Sequence, residues 1–301
     1  MESPTQQRIS YSLIRHAVDV VLECNASKFF LYAHAVTDEL RAELERVSDR
    51  VVLALKTDRE QDAAELGGRR FVRVPDVRLN RLGQAKVALF LAVSKGIVQK
   101  GEIVAFLLGE PNTPQLDTLF VTEVGTDADG LIPMRDETFV PPGIKPEVVE
   151  RVIDIAAELG SEGREGKPVG ALFVIGDSQR VMSLTRQLII NPFRGYAREE
   201  RNVLDPALEE TVKELSTIDG AFIIDGDGTI ETCGAYLKTA LQDEDDYALP
   251  RGLGARHHAA AGITAVTDSV AVAVSESTGT VTVFREGKII TELEKLRHGS
   301  I

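Results

Sequence analysis

Short apolar runs of strand length alternate with helical segments throughout the first 125 residues of the chain. Val51–Leu55 and Ile103–Leu108 are two such runs, and neither contains a charged residue. Runs of this kind are typical of parallel strands that are buried on both faces, and parallel strands need a crossover connection, usually a helix. The pattern therefore predicts an α/β sandwich domain with a mostly parallel sheet between helices. The predicted strands are 28–33, 51–55, 70–74, 103–108 and 118–124, and the predicted helices are 8–25, one that follows the N-cap Thr37, 58–66 and 82–99.

A proline-rich segment follows this region. Four prolines fall within residues 126–146, and proline at this density resists helix and sheet and suits a semi-rigid connector. We therefore predict an N-terminal domain at 1–125, a linker at 126–146 and a C-terminal domain at 147–301.

The C-terminal domain combines helices with strands in a pattern that predicts an α/β fold with a mixed sheet. Its predicted elements are a helix at 147–159, a strand at 170–176, a helix from Pro206 through Leu215, a strand at 221–225 and a meander at 270–274, 280–284 and 288–293. Valines alternate with alanines in the strand at 270–274, which predicts that one of its faces is less deeply buried.

The stretch Gly252–Thr264 contains glycines, then three side chains that can donate to an anion, then small residues. A helix that starts here directs its unpaired N–H groups and the positive end of its dipole at a ligand. Adjacent His257 and His258 point about 100° apart on a helix, so we do not expect them to share one ligand. The stretch predicts a phosphate site around Arg256.

Asp219 precedes Gly220-Ala221 and an apolar strand. The two small residues leave room for a ligand against the backbone, although taken alone Asp219 is better interpreted as a turn or N-cap residue. Ser275 adds a hydroxyl at the end of a later strand. This carboxylate and hydroxyl, the Arg256 guanidinium and the His257 imidazole are the parts of a metal-assisted phosphoryl or nucleotidyl transfer site.

Asp219-Gly220-Ala221 and Gly254-Ala255-Arg256-His257-His258, with Arg256 37 positions after Asp219 (256 − 219), resemble the two motifs of the diadenylate cyclase domain over about residues 147–296. The segment Ala92–Gly109 is similar to the C-terminal α/β domain of pyruvate kinase, over roughly residues 8–125. Together the two regions resemble the archaeal type of diadenylate cyclase. The resemblance implies that two ATP molecules are condensed into cyclic di-AMP with release of two pyrophosphates.

The resemblance also implies roles for individual residues. Asp219 would hold Mn²⁺ or Mg²⁺ together with the ATP phosphates, and Asp219, Arg256 and His257 would be catalytic. The implied nucleotide-binding residues are Gly220, Ala221, Leu237, Gly254, Ala255, Arg256, His257, His258, Ser275 and Glu276. Because each ATP must attack the other, two such domains are expected to meet face to face.

Two positions depart from the common GTRHR pattern of the family. Ala255 replaces a threonine and so removes a hydroxyl, and His258 replaces an arginine with a titratable ring. The resemblance of the first region favours a scaffold or oligomerisation domain, with a regulatory ligand domain as the alternative.

The overall charge limits the range of partners. The net charge is −13 and the pI about 5.0, which disfavours nucleic acid in the absence of a basic patch. The sequence has no signal-peptide pattern and no apolar run of membrane-spanning length, so we expect a cytoplasmic protein with no membrane partner. Asp225–Ile230 has part of a calcium-loop pattern without its first and last ligands, which favours a hairpin turn. The acidic run Asp243–Asp246 is most simply a solvated loop.

A non-catalytic sensor of ATP or cyclic di-AMP, or an assembly scaffold of the same fold, is the alternative function. The presence of both Asp219 and Arg256-His257 favours the enzyme.

Overall fold

A computed structural model describes residues 4–36, 38–56, 70–110, 113, 115–125, 140–238, 249–250 and 252–294. The chain divides into two compact units, and the second is Val140–Lys295. This division falls inside the segment that we predicted as a linker, and the predicted domain limits stay predictions. The predicted helix at 58–66, the N-cap Thr37 and the acidic run Asp243–Asp246 lie outside the described residues.

The first unit contains a five-stranded sheet with helices. Its helices are α1 (Pro4–Glu23), α2 (Asp38–Leu44) and α3 (Arg81–Ser94), and its strands are β1 (Lys28–Tyr32), β2 (Val51–Lys56), β3 (Arg70–Val74), β4 (Ile103–Gly109) and β5 (Leu116–Glu123). The strand order is β3-β2-β1-β4-β5, in which β1 to β4 are parallel and β5 pairs antiparallel with β4. The prediction of a mostly parallel sheet is therefore confirmed.

Burial explains why these segments form the sheet. One core cluster contains Phe29 and Leu31 of β1 and Val51 and Leu53 of β2. Helix α1 contributes Ile14, Ala17, Val18 and Val21 to the same cluster. The prediction that the helix from residue 82 extends to 99 was wrong at its end. Helix α3 stops at Ser94 because Gly96 takes the left-handed conformation, with φ at 66°.

The second unit contains a seven-stranded mixed sheet. Its helices are α4 (Pro146–Glu162), α5 (Ser178–Ser183), α6 (Glu209–Leu215) and α7 (Ala255–Val266), and its strands are β6 (Ala171–Ile175), β7 (Thr185–Gln187), β8 (Ala221–Ile224), β9 (Ile230–Leu237), β10 (Val270–Val274), β11 (Val281–Arg285) and β12 (Lys288–Leu293). The order is β12-β11-β10-β6-β8-β9-β7, and among the described strands β6 and β8 form the parallel pair of this sheet. A mixed α/β sheet was predicted, and the fold class is confirmed.

Two local predictions for this unit differ from the structure. All five residues of β10 are buried, because α4 and α7 both pack against this strand. Its alanines join the core cluster of Ala260 and Ala261 on α7, so the alternation reflects the sizes of buried side chains and not exposure to solvent. The helix predicted from Pro206 begins as a 3-10 turn at Pro206–Leu208, and α6 follows it.

The segment at 225–230 is the tight connection between β8 and β9. Ile224 pairs with Ile230 across the antiparallel strands, and the N–H of Asp225 donates to the carbonyl oxygen of Thr229 at 2.8 Å. The predicted hairpin turn is confirmed. No helix among the described residues combines the length and apolar character that crossing a membrane requires.

Candidate active site

The edge of the second sheet at which the parallel strands β6 and β8 begin gathers the predicted site residues. Gly170 immediately precedes β6, and Asp219 lies two residues before β8. Strand β10 runs antiparallel to β6 and pairs Val274 with Ala171, so the segment after Val274 reaches the same edge. Residues that are distant in sequence therefore meet because the strand directions bring their ends together.

Asp219 is held on a turn that permits no side chain at its neighbour. Gly220 has a φ of 111°, and a Cβ added there would lie 2.6–2.8 Å from backbone atoms of Gly234 and Ala235 on β9. The backbone beside Asp219 is therefore pressed directly against β9. Its carboxylate points outward, with 91% of the side chain exposed.

Helix α7 begins where the glycine-rich stretch predicted a helix start. Gly254 is the N-cap, and its carbonyl oxygen accepts the N–H groups of His257 at 3.0 Å and His258 at 3.3 Å. The N–H groups of Ala255 and Arg256 lie in the first turn of α7 and have no carbonyl within the helix to bond. The exposed start of α7 thus has the geometry of an anion site.

The Arg256 guanidinium lies between two carboxylates. Its Nη2 donates to Oδ1 of Asp219 at 3.3 Å, and its Nη1 donates to Oε2 of Glu276 at 3.3 Å. The Arg256 side chain is 32% exposed and that of Glu276 is 62% exposed. The structure therefore brings together the predicted carboxylate, the predicted guanidinium and Glu276 in one solvent-accessible group.

His257 does not join this group. The residue is only 5% exposed, and its ring packs edge-on against Phe284 with the ring centroids 6.0 Å apart. Burial, with smaller contributions from the nearby charges of His258 and Arg256, lowers the pKa of His257 below its ordinary value. The ring is therefore neutral at pH 7. The neighbouring His258 is half-buried, and Ala255 is exposed.

The remaining predicted residues surround this edge. Ser275 is half-buried, and its Oγ accepts the N–H of Thr278 at 3.3 Å, so its hydroxyl is part of the hairpin turn between β10 and β11. Leu237 ends β9 and is buried, as is Ala221 at the start of β8. These two side chains line the core beside the turn and not the exposed group.

The donor set of this edge fits a divalent cation that is shared with a nucleotide. Mg²⁺ and similar ions are held by one or two carboxylates together with substrate phosphates, rather than by a complete protein cage. Asp219 offers an exposed carboxylate, and Glu276 a second one across Arg256. Among the described residues no group of three or more His, Cys, Asp or Glu side chains could hold a metal ion, so phosphate oxygens would have to complete the coordination.

One residue of the site was missed in the sequence. Gly170 lies beneath the Arg256 guanidinium, where an added Cβ would be 2.6 Å from Nη1. The available signal was the repeated order of glycine, alanine and apolar strand, which occurs both at Gly170-Ala171 and at Gly220-Ala221.

Comparison with known proteins assigns both regions of the chain. Residues 158–289 match the DAC family, described as DisA bacterial checkpoint controller nucleotide-binding, and residues 7–129 match the family described as Probable sensor domain DacZ_P. The comparison does not support the predicted resemblance of the first region to pyruvate kinase, since this region matches a sensor family instead. Its short helix–strand junction is a common α/β pattern and carried too little specific information.

Two archaeal relatives are both named diadenylate cyclase. The protein of Methanocaldococcus jannaschii is 40% identical over 209 residues, which are 67% of this chain and 63% of the relative. The protein of Haloferax volcanii is 34% identical over 233 residues, which are 74% of this chain and 80% of the relative. A solved structure of DacA from Staphylococcus aureus is 26% identical over 48% of this chain and 84% of its own, with a TM-score of 0.31, too low to support a conclusion.

Proposed function

The chain belongs to the diadenylate cyclases, the nucleotidyltransferases that make cyclic di-AMP from ATP, and we propose that its Asp219–Arg256–Glu276 group performs this reaction. The observation that carries the proposal is the position of Arg256, which lies between two exposed carboxylates at the start of a helix. The matched region spans less than two thirds of the first of these relatives, so the substrate and product of this chain are part of the proposal.

Arg256 can exchange its carboxylate partners for phosphate at low energetic cost. Ion pairs exposed to this degree contribute about 0–1 kcal/mol each, because water screens them. A hydrogen bond from a guanidinium to a phosphate oxygen at a less hydrated site is worth about 1.5–3 kcal/mol. ATP phosphates can therefore replace the carboxylate partners of Arg256.

We propose that Asp219 holds a divalent cation, Mn²⁺ or Mg²⁺, together with the phosphates. When bound, such a cation lowers the pKa of a hydroxyl and neutralises phosphate charge. The carboxylate of Asp219 is exposed and can turn from Arg256 toward a ligand, while Gly220 fixes its backbone against β9.

The chemical step joins two nucleotides. The 3′-hydroxyl of one ATP loses its proton to solvent, and its oxygen bonds to the α-phosphorus of the other ATP. The bond from that phosphorus to the bridging oxygen breaks, and pyrophosphate leaves with the electron pair. Arg256 and the free N–H groups at the start of α7 are placed to stabilise the charge that develops on the pyrophosphate, and repetition at the second nucleotide closes the ring.

His257 has a different place in this proposal from that of Arg256. Its buried neutral ring anchors the first turn of α7 against Phe284 and so directs the neighbouring Arg256 outward. The direct phosphate contact that the resemblance implies for His257 stays a prediction. Contacts of the nucleotide with Ser275, Leu237, His258 and the backbone at Gly220 and Gly254 also stay predictions.

A reaction between two ATP molecules favours two copies of the site. We propose that two C-terminal units meet face to face at this edge, each with one ATP. The segment after β7 supports this arrangement, because Ile190 leaves 91% of its surface exposed. Ile189, the residue before Ile190, lies close to the Asp219 turn. A Cβ built on Gly234 would meet Ile189 at 2.6 Å and the carbonyl oxygen of Asp219 at 3.7 Å.

The first unit has a proposed regulatory role. Its match to a probable sensor family favours the ligand-binding alternative over the scaffold predicted from the sequence.

A product assay separates the cyclase from a non-catalytic sensor. Purified full-length protein is incubated with ATP and Mg²⁺ or Mn²⁺, with a parallel sample in EDTA, and nucleotides are resolved by chromatography with mass detection. The proposal requires a cyclic dinucleotide and two equivalents of pyrophosphate that disappear with EDTA. ATP binding by calorimetry without any product would instead identify a sensor, and no binding would refute both.

A further inference from the structure

Gly170 is a glycine without a conformational reason to be one. It is buried at the residue before β6, and it does not have a positive φ, unlike Gly220 and Gly234 at the same edge. The backbone at this position would therefore accept any L-residue. A side chain is excluded because the space that it would fill is already occupied.

The Arg256 guanidinium occupies that space. A Cβ on Gly170 would lie 2.6 Å from Nη1 and 3.0 Å from Cζ of Arg256, and 3.1 Å from Cβ of Glu276. Contacts below 3.0 Å cannot be tolerated, so the forked Arg256 guanidinium would have to move. The guanidinium thus rests on bare backbone, with Asp219 and Glu276 at its two ends.

We propose that Gly170 is a positioning residue: because it has no side chain, the Arg256 guanidinium can pack against the backbone at the position from which it binds the phosphates. The proposal rests on the function proposed above, since it assigns Gly170 to the same site. A methyl group at this position lifts the fork by several tenths of an ångström, and displacement of a catalytic group by about 1 Å can reduce a rate by about 10²-fold.

The predicted loss of activity is separable from a loss of stability. At Gly220 an added Cβ collides with backbone, whereas at Gly170 it lies 3.1 Å from the Cβ of Glu276, which has to give by only a few tenths of an ångström, and 2.6 Å from the far end of the flexible Arg256 side chain. That end can move without disturbing the sheet. Gly170→Ala should therefore leave thermal unfolding within about 3 °C of wild type, which corresponds to about 1 kcal/mol for a domain of this size.

The test is a double-mutant cycle with Arg256→Lys, which keeps the charge but removes the fork. Turnover, KM and the affinity for a non-hydrolysable ATP analogue are measured for wild type, Gly170→Ala, Arg256→Lys and the double variant. We expect Gly170→Ala to lower kcat by about 10–100-fold in the native background. In the Arg256→Lys background the same substitution should change kcat and analogue affinity by less than about two-fold, because there is no fork left to displace.

Gly226→Ala is the control variant for a purely structural effect. Gly226 lies in the β8–β9 turn, away from the site, and its added Cβ would meet the carbonyl oxygen of Gly143 at 2.1 Å. It should lower the unfolding temperature and show no dependence on Arg256. Wild-type turnover in Gly170→Ala, or an equal fold loss in both backgrounds, would overturn the proposal. If wild type makes no cyclic dinucleotide, the proposed function fails, while the analogue affinities still report whether Gly170 acts through Arg256.

Discussion

Replacement of Gly220 by alanine perturbs the turn that carries Asp219 and lowers the free energy of unfolding for two reasons. A φ of 111° lies outside the region that alanine adopts, which costs about 1–2 kcal/mol. The added Cβ would also lie 2.6–2.8 Å from three backbone atoms of Gly234 and Ala235, where ordinary contacts are about 3.4–4 Å. Pushing β9 from β8 in a close-packed sheet adds about 1–3 kcal/mol.

The two contributions predict a loss of about 2–5 kcal/mol in the free energy of unfolding. For a unit of this size the loss lowers Tm by about 5–15 °C. The assay is thermal unfolding followed by circular dichroism, with Gly254→Ala as the matched control. An added Cβ at Gly254 meets nothing within 4 Å and its φ is −82°, so its Tm should stay within about 3 °C of wild type. A Gly220→Ala variant that unfolds at the same temperature as Gly254→Ala would show that the turn at Gly220 tolerates a side chain.

Three further predictions concern neighbouring residues. The pKa of His257 is lowered in the native state, so the unfolded chain takes up a proton first as pH falls below about 6.5, and native stability is lost. Urea unfolding should therefore show that wild type loses more stability than His257→Gln between pH 7 and 5. Equal losses would show that burial does not lower the pKa of this ring. His258→Arg adds a permanent charge and a planar fork at the start of α7 and should raise activity if residue 258 faces phosphate, whereas unchanged turnover would show that it points elsewhere. Ile190→Asp places a charge in the proposed contact between copies and should shift sedimentation toward monomer and lower specific activity at dilute protein; a dimer fraction equal to wild type would argue against this face.

The sequence predicted those features that depend on local pattern and short-range chemistry. Apolar runs such as Val51–Leu55 and Ile103–Leu108 identified their strands, because a short uninterrupted apolar run is typical of a strand that is buried on both faces. The start of α7 after Gly254 was also predicted, because glycine, hydrogen-bond donors and small residues in this order form a local signal.

Features that depend on long-range packing could not be predicted. Nothing in the sequence of β10 shows that helices cover both of its faces, so its valine–alanine alternation was misinterpreted. Motif spacing placed His257 beside Arg256, but whether the ring faces solvent or Phe284 depends on the rotation of α7 against β11. The contact of Gly170 with Arg256 joins residues from different elements and becomes visible only when the sheet edge is assembled.

The proposed function requires that Asp219 and Arg256 belong to one site that makes cyclic di-AMP. Its most direct test is the rate of cyclic dinucleotide formation, at saturating ATP and Mg²⁺ or Mn²⁺, by wild type, Asp219→Asn and Asp205→Asn. Asp205 is the matched control because it is also exposed, lies away from the site, and caps Ala207 through an oxygen that asparagine retains.

Asp219→Asn keeps the size of an exposed side chain, so its unfolding should stay within about 0.5 kcal/mol of wild type. We predict that this variant loses about 10²-fold or more in rate, because the carboxylate that would hold the cation is gone, while Asp205→Asn stays within about two-fold of wild type. Cyclic di-AMP formation by Asp219→Asn at the wild-type rate would contradict the role proposed for Asp219.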